Sequence, residues 1–145
     1  MDPLSVTASI VGIIAAAGKV VELVGPVVRG IKNAPGALRD VYAESTDIQA
    51  LLSSLQPFLC NLSSVAPARL ALIQLDQLIV TFTDAVLAFS ELDPLLEPLQ
   101  AGIGQALPFL TRAKWVTKQG RICDIVARLQ RHKATLSLML NIIQW

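Results

Sequence analysis

The run LSVTASIVGIIAAAGKVVELVGPVVRGI, Leu4–Ile31, decides how the remainder of the chain is read. From Leu4 to Gly18 it carries no charge; Lys19, Glu22 and Arg29 are then set among further valines. A secretory signal would place a basic segment before the apolar run and a small-residue cleavage site after it, and here the only charge before the run is Asp2. A membrane span needs roughly 20 apolar residues to cross about 30 Å of hydrocarbon. The uncharged 15 residues Leu4–Gly18 reach only about 22 Å as a helix, too short to span alone. The reading that remains is a helix buried in a fold that can later be exposed. Val6, Ile10, Ile13, Ala17, Val20 or Val21, Val24, Val28 and Ile31 recur every three or four residues, which is helical spacing. A second face carries Ala8, Gly12, Ala15 and Ala16, small enough to let another helix approach closely. Asp2-Pro3 is suited to start the helix, and Gly25-Pro26 is expected to kink or end it.

Outward from this run, Asn33-Ala34-Pro35-Gly36 has turn chemistry. A second helix follows, with Leu38, Val41, Tyr42, Ile48, Leu52, Leu55, Leu59 and Leu62 on one stripe and Arg39, Asp40, Glu44, Asp47 and Gln49 mostly off it; Pro57 bends its last turn. A third helix, about Pro67 to Glu91, is apolar around most of its circumference and is therefore expected to be central, with Asp76 and Asp84 marking its solvent edge. Pro94, Pro98, Gly102, Gly104 and Pro108 make Leu92–Pro108 a loop holding one short helix from Leu95. The last helix starts near Pro108, passes Trp115 as a core anchor, loosens at Gly120 and ends near Ile143. No β-alternation or hairpin signal occurs. The fold class is all-α: a four-helix-type bundle with an additional short helix and a Pro/Gly-rich connection before the last long helix.

With 145 residues the chain is read as one domain. Its residues are 53% hydrophobic and only 16% charged, with a mean hydropathy of +0.57. Such a chain buries most of its helical surface or keeps an apolar face for a partner or a lipid. The net charge of +1 hides an asymmetry: residues 33–66 sum to −2, 67–106 to −4 and 107–145 to +6. An acidic middle and a basic end point first to internal pairing and second to an anionic surface. Cys60 and Cys123 sit among apolar residues at no metal-ligand spacing and read as free, buried thiols of a reduced cytosol.

No catalytic constellation is legible. His132, the only histidine, falls in Arg131-His132-Lys133 on a basic helix face, with no carboxylate or nucleophile evidently placed to work with it. Ala101-Gly102-Ile103-Gly104 lacks the third glycine and the preceding strand of a phosphate-binding loop. Glu91 and Asp93 read as loop charges. The chain is therefore read as a non-enzyme without cofactor or metal, and as no nucleic-acid binder, since its basic tail carries no recognition motif.

Two stretches carry a family resemblance. The opening Met1-Asp2-Pro3-Leu4-Ser5-Val6-Thr7-Ala8-Ser9-Ile10 with its Gly/Ala-rich continuation, and Arg112-Ala113-Lys114-Trp115 followed by Leu129-x-x-His132-Lys133-x-x-Leu136-x-Leu138-x-Leu140, resemble the fungal HeLo-like domain. That domain is the N-terminal part of fungal STAND (NOD-like) receptors and related amyloid-signalling proteins. The resemblance implies a helical cell-death effector of fungal immunity and incompatibility, 1–145 being one domain of a longer receptor or effector or a short protein. It implies a cytoplasmic resting state, clustering with copies of itself by an upstream receptor or amyloid signal, and action at the plasma membrane. By that analogy the membrane-insertion helix carries Leu4, Val6, Ile10, Val11, Ile13, Ile14, Val20, Val21 and Val24, with Ala8, Gly12 and Ala16 packing helix against helix. Lys114, Lys118, Arg121, Arg128, Arg131 and Lys133 are then the contacts to anionic lipid. Lys19 and Glu22 can pair at three-residue spacing and in a bilayer would face an oligomer interior or water. The Pro-rich 92–108 segment and the absence of a nucleotide-binding module depart from the family pattern. Two other readings stay open: a signalling or oligomerisation module that never touches lipid, and a bundle that binds a small molecule in an apolar cavity.

Overall fold

The computed structural model describes residues 3–30, 34–60, 75–101 and 113–144. Among them the chain forms four α-helices, α1 (Pro3–Gly30), α2 (Gly36–Cys60), α3 (Leu75–Leu96) and α4 (Ala113–Gln144), with a short 3₁₀ helix, Glu97–Ala101, continuing α3. The all-α bundle is as the hydrophobic periodicity requires. The ends of the expected elements at Asn33, Leu62, Pro67 and Pro108 lie outside the described residues.

α1 packs against α2 and α3, and α4 packs against the same two helices, so α1 faces α4 only across the diagonal. Close approaches give the directions. Gly18 meets Gln49 and Gly25 meets Tyr42, so α1 and α2 are antiparallel. Gly12 and Lys19 line one groove with Val86 and Asp93, seven residues apart on each helix, so α1 and α3 are parallel. Asp84 meets His132 and Arg128 while Glu91 meets Arg128, so α3 and α4 are antiparallel.

The first helix does not end at Gly25-Pro26; it continues to Gly30. Proline removes one backbone donor and leaves the carbonyl four residues back unpaired. Pro26, Pro57 and Pro94 all lie inside helices, and all three, with Glu22, Ser53 and Ser90 four residues earlier, are exposed. The freed carbonyls therefore face solvent, where hydration replaces the missing bond. By the same device α3 passes Pro94, so 92–94 is helix rather than the expected loop, the short helix expected from Leu95 is the end of α3 and its 3₁₀ continuation, and Glu91 and Asp93 are helical charges. α2 opens on Pro35, whose carbonyl accepts from the backbone N–H of Leu38 at 3.1 Å and Arg39 at 3.2 Å. α4 runs through Gly120, which is exposed, without a break.

One core joins all four helices: Ile10, Ile13, Val20 and Val24 of α1; Leu38, Val41, Ile48, Leu52 and Leu55 of α2; Leu78, Phe82, Phe89 and Leu92 of α3; Trp115, Ile122, Leu129 and Leu136 of α4. Trp115 is buried as a core anchor should be. The expectation that the third helix is central is corrected. α1 and α2 share the most extensive interface, whereas α3 leaves Ile79, Val80, Val86 and Leu87 exposed. Its all-round apolar character therefore marks an uncovered face instead of complete burial.

Candidate functional site

α1 positions the residues singled out for membrane insertion, and its helical period divides them. Ile10, Ile13 and Val24 are fully buried and Val20 nearly so, while Val11 is 51% exposed. Ile14 and Val21 are half-buried, and the side chains of Leu4 and Val6 lie outside the described residues. The helix is thus sheathed along one face by α2 and α3. Of the small-residue positions, Ala16 packs against the core, and Ala8 and Gly12 are exposed. A Cβ built on Gly12 meets nothing within 4 Å, so the space above it is open. Because α1 does not stop at Pro26, its apolar stretch is longer than the uncharged run: Ala8–Gly30, 23 residues of mean hydropathy 1.9, is long and apolar enough to cross a membrane. A buried core helix passes the same test.

Basic residues of α4 are brought into a clasp on α2 and α3. The Arg128 guanidinium reaches Asp84 at 2.8 Å and also pairs with Glu91. His132 Nε2 lies 2.5 Å from the other oxygen of Asp84. On the side of α4 toward α2, Lys133 Nζ is 2.7 Å from Glu44 and 3.2 Å from Asp47, and Gln130 Nε2 donates to Glu44 Oε1 at 3.4 Å. Asp84 is therefore no solvent edge, and His132 does have a carboxylate beside it. Glu44, expected off the buried stripe, is 7% exposed, and its Oε2 meets Lys133 as an ion pair without hydrogen-bond alignment. Hydrogen bonding from Arg128 is the main cause that holds the Asp84 carboxyl below its ordinary value, against burial, which pushes it up, with His132 adding to the lowering. Contact with Glu44 and then Asp47 raises Lys133, desolvation opposing.

The internal pairing foreseen from the acidic middle and basic end is thus realised, and it occupies Arg128 and Lys133, two of the six proposed lipid contacts. Arg121 and Arg131 are exposed, Lys118 is half-buried, and the Lys114 side chain lies outside the described residues. Lys19 does not pair with Glu22; its ammonium is 4.0 Å from Asp93 of α3, both side chains well exposed. Cys123 is exposed rather than buried, and the Cys60 side chain lies outside the described residues. The partners of Arg128 and Lys133 were not legible in the sequence, because separations of 37 to 89 residues carry no local signal.

Two grooves run between helices and both are open to solvent. One, of about 160 Å³, lies between α1 and α3 and is lined by Gly12, Ala16, Lys19, Val86, Phe89, Ser90 and Asp93. The other, between α2 and α4, includes Asp47, Ser54, Lys133 and Ser137. Neither is the deep apolar cavity that a small-molecule reading calls for. Among the described residues no cluster of three or more His, Cys, Asp or Glu is placed to hold a metal ion. Compared with family models, with curated proteins and with solved structures, the chain matches none.

Proposed function

We propose that this chain is a membrane-directed cell-death effector domain of the HeLo-like type, with α1 sheathed in the bundle at rest and delivered to the bilayer when copies are clustered. One observation carries the reading: the helix long and apolar enough to cross a membrane is also a wall of the bundle, with Ile10, Ile13, Val20, Val24 and Val27 buried. Each such side chain contributes about 1.5–3 kcal/mol when taken out of water, so releasing five into water costs on the order of 10 kcal/mol. Only another apolar phase offsets that, which ties release to lipid. A 23-residue helix is about 35 Å long at about 1.5 Å per residue, against about 30 Å of hydrocarbon. Lys19 and Glu22 then require water or a partner helix, so insertion is collective.

The test locks α1 to α2. Gly18 and Gln49 approach closely enough that a Cβ at position 18 would lie 2.9 Å from Gln49 Nε2. The double variant Gly18→Cys/Gln49→Cys, with Cys60 and Cys123 replaced by serine, is bridged through both thiols by a short bis-methanethiosulfonate linker, which takes the place of the Gln49 side chain and is cleaved by reductant; it is clustered on vesicles containing anionic lipid and dye release is followed. Release on reduction and none while the linker is intact is expected; equal release in both states, or none in either, rejects the reading.

A second reading is a helical signalling and oligomerisation module that recruits partners without insertion. The exposed apolar face of α3, with Val80 60% and Leu87 53% exposed, favours it.

A further inference from the structure

The clasp that holds α4 is short of positive charge. Four carboxylates enter it, Glu44 and Asp47 from α2 and Asp84 and Glu91 from α3, and the cations set against them are Arg128 and Lys133. Carboxyl groups ionise near about pH 4 and these cations keep their protons to above about pH 10, so at neutral pH four negative charges face two positive ones. His132 is the remaining member. Its Nε2 lies 2.5 Å from Asp84 Oδ2, while Asp84 Oδ1 accepts from Arg128 at 2.8 Å. The His132 side chain is only 13% exposed, so the contact is shielded from water. The charges that flank it in sequence point elsewhere: Lys133 is held by Glu44 and Asp47, and Arg131 is exposed. α1 lies across the diagonal, and its ionic contact runs to Asp93 of α3.

We propose that His132 is a proton-operated fastener, whose protonation in mild acid supplies the cation the clasp lacks and tightens α4 on α3. A neutral ring can donate its Nε2–H to Asp84 but brings no charge. A protonated ring makes the same contact without rearrangement, and a charge-assisted hydrogen bond is about twice as strong as a neutral one. Burial opposes the charged ring, and the unbalanced carboxylates, one of them in direct contact, outweigh it. By linkage, a native state that holds the extra proton is more stable on the acid side and loses that gain as pH rises through the histidine range, around about pH 6.5. This is opposite in sign to the loss expected at lower pH as Asp84 protonates, so stability should peak near about pH 5. The grip of α4 on α3, and not the apolar docking of α1, is thereby placed under the control of pH.

Urea unfolding and the NMR signals of the imidazole test it, the latter without overlap because His132 is the only histidine. From about pH 7.5 to about pH 5.5, where an unperturbed histidine is the side chain that changes charge, the folding constant of the wild-type chain should rise about fivefold, the upper end for an exposed ion pair. His132→Gln, which keeps a side-chain donor but does not titrate, should stay level. Glu91→Gln, at an exposed position, lessens the charge deficit and should rise less. In Asp84→Asn the imidazole signals should titrate at lower pH than in the wild-type chain. That comparison leaves position 132 unchanged, so it decides the matter even where His132→Gln fails to fold. Wild-type stability that is level across the window overturns the proposal, as do an equal rise in His132→Gln and imidazole signals whose titration is indifferent to Asp84→Asn.

Discussion

Lys133 and Asp84 show how far single side chains decide this fold. Glu44 is nearly buried, its side chain 10% exposed, and Lys133 is its counter-charge. Removing one partner of a buried pair leaves an uncompensated charge, at about 3–5 kcal/mol where both are fully buried. Lys133 is 31% exposed, so Lys133→Met should destabilise by about 2 kcal/mol, below that range, read as a lower urea midpoint with unchanged slope. Glu44→Gln combined with Lys133→Met should recover most of the loss. The Asp84 carboxyl is held below its ordinary value by Arg128 and His132. The sign follows from linkage: the stabilisation is present above the unfolded value of about 3.9 and is lost as pH falls through it toward the folded value. Asp84→Asn should therefore lower stability at neutral pH and flatten its fall below about pH 4, as followed by thermal melts across pH. Lys133, whose folded value is raised, acts at the other end. Its contribution is complete below about pH 10.4 and disappears as pH rises through the folded value. None of these partners was visible in the sequence beyond the net sign of each segment.

Among the elements, α1 was the most legible and α3 the least. The spacing of Ile10, Ile13, Ala17, Val20 and Val24 placed the buried stripe of α1 correctly, since a helix in contact on one side must repeat every three or four residues. Ile13→Ala should cost about 2–5 kcal/mol, the usual range for emptying a packed core site, measured by denaturant unfolding. Gly18→Ala should instead raise stability by about 0.5–1 kcal/mol through helix propensity, since the only close atoms belong to the end of the flexible Gln49 side chain; a lower melting temperature would show that the α1–α2 approach is tighter than this. In α3 the count of apolar residues pointed to a central position, yet Val80 and Leu87 are exposed. Composition does not say whether an apolar face is covered by the same chain or left for another. The prolines misled for a related reason: whether Pro26 or Pro94 ends a helix depends on whether the carbonyl four residues back is buried, which is a property of the packed fold.

For the whole molecule, a single core shared by all four helices implies one cooperative transition. Calorimetric and van't Hoff enthalpies should agree, and a separate early transition of α1 would mean that this helix is only loosely docked at rest. α4 is tied to α2 and α3 by its charge clasp, while α1 meets its neighbours chiefly through apolar contact. Apolar contact is non-directional and is offset by any apolar phase, whereas an ion pair is not. Under the proposed function, that contrast is why α1 rather than α4 would be the helix to leave the bundle for a bilayer. The sequence by itself determined that the chain is all-helical, where its main helices lie, and which face of α1 and α2 is buried, because those properties follow from local periodicity. Only the tertiary structure decided that Lys133 compensates Glu44, that Asp84 joins Arg128 and His132, and that α3 keeps an apolar face in solvent. Each of these depends on which helix lies beside which, and residues 37 to 89 positions apart leave no periodic trace of their meeting.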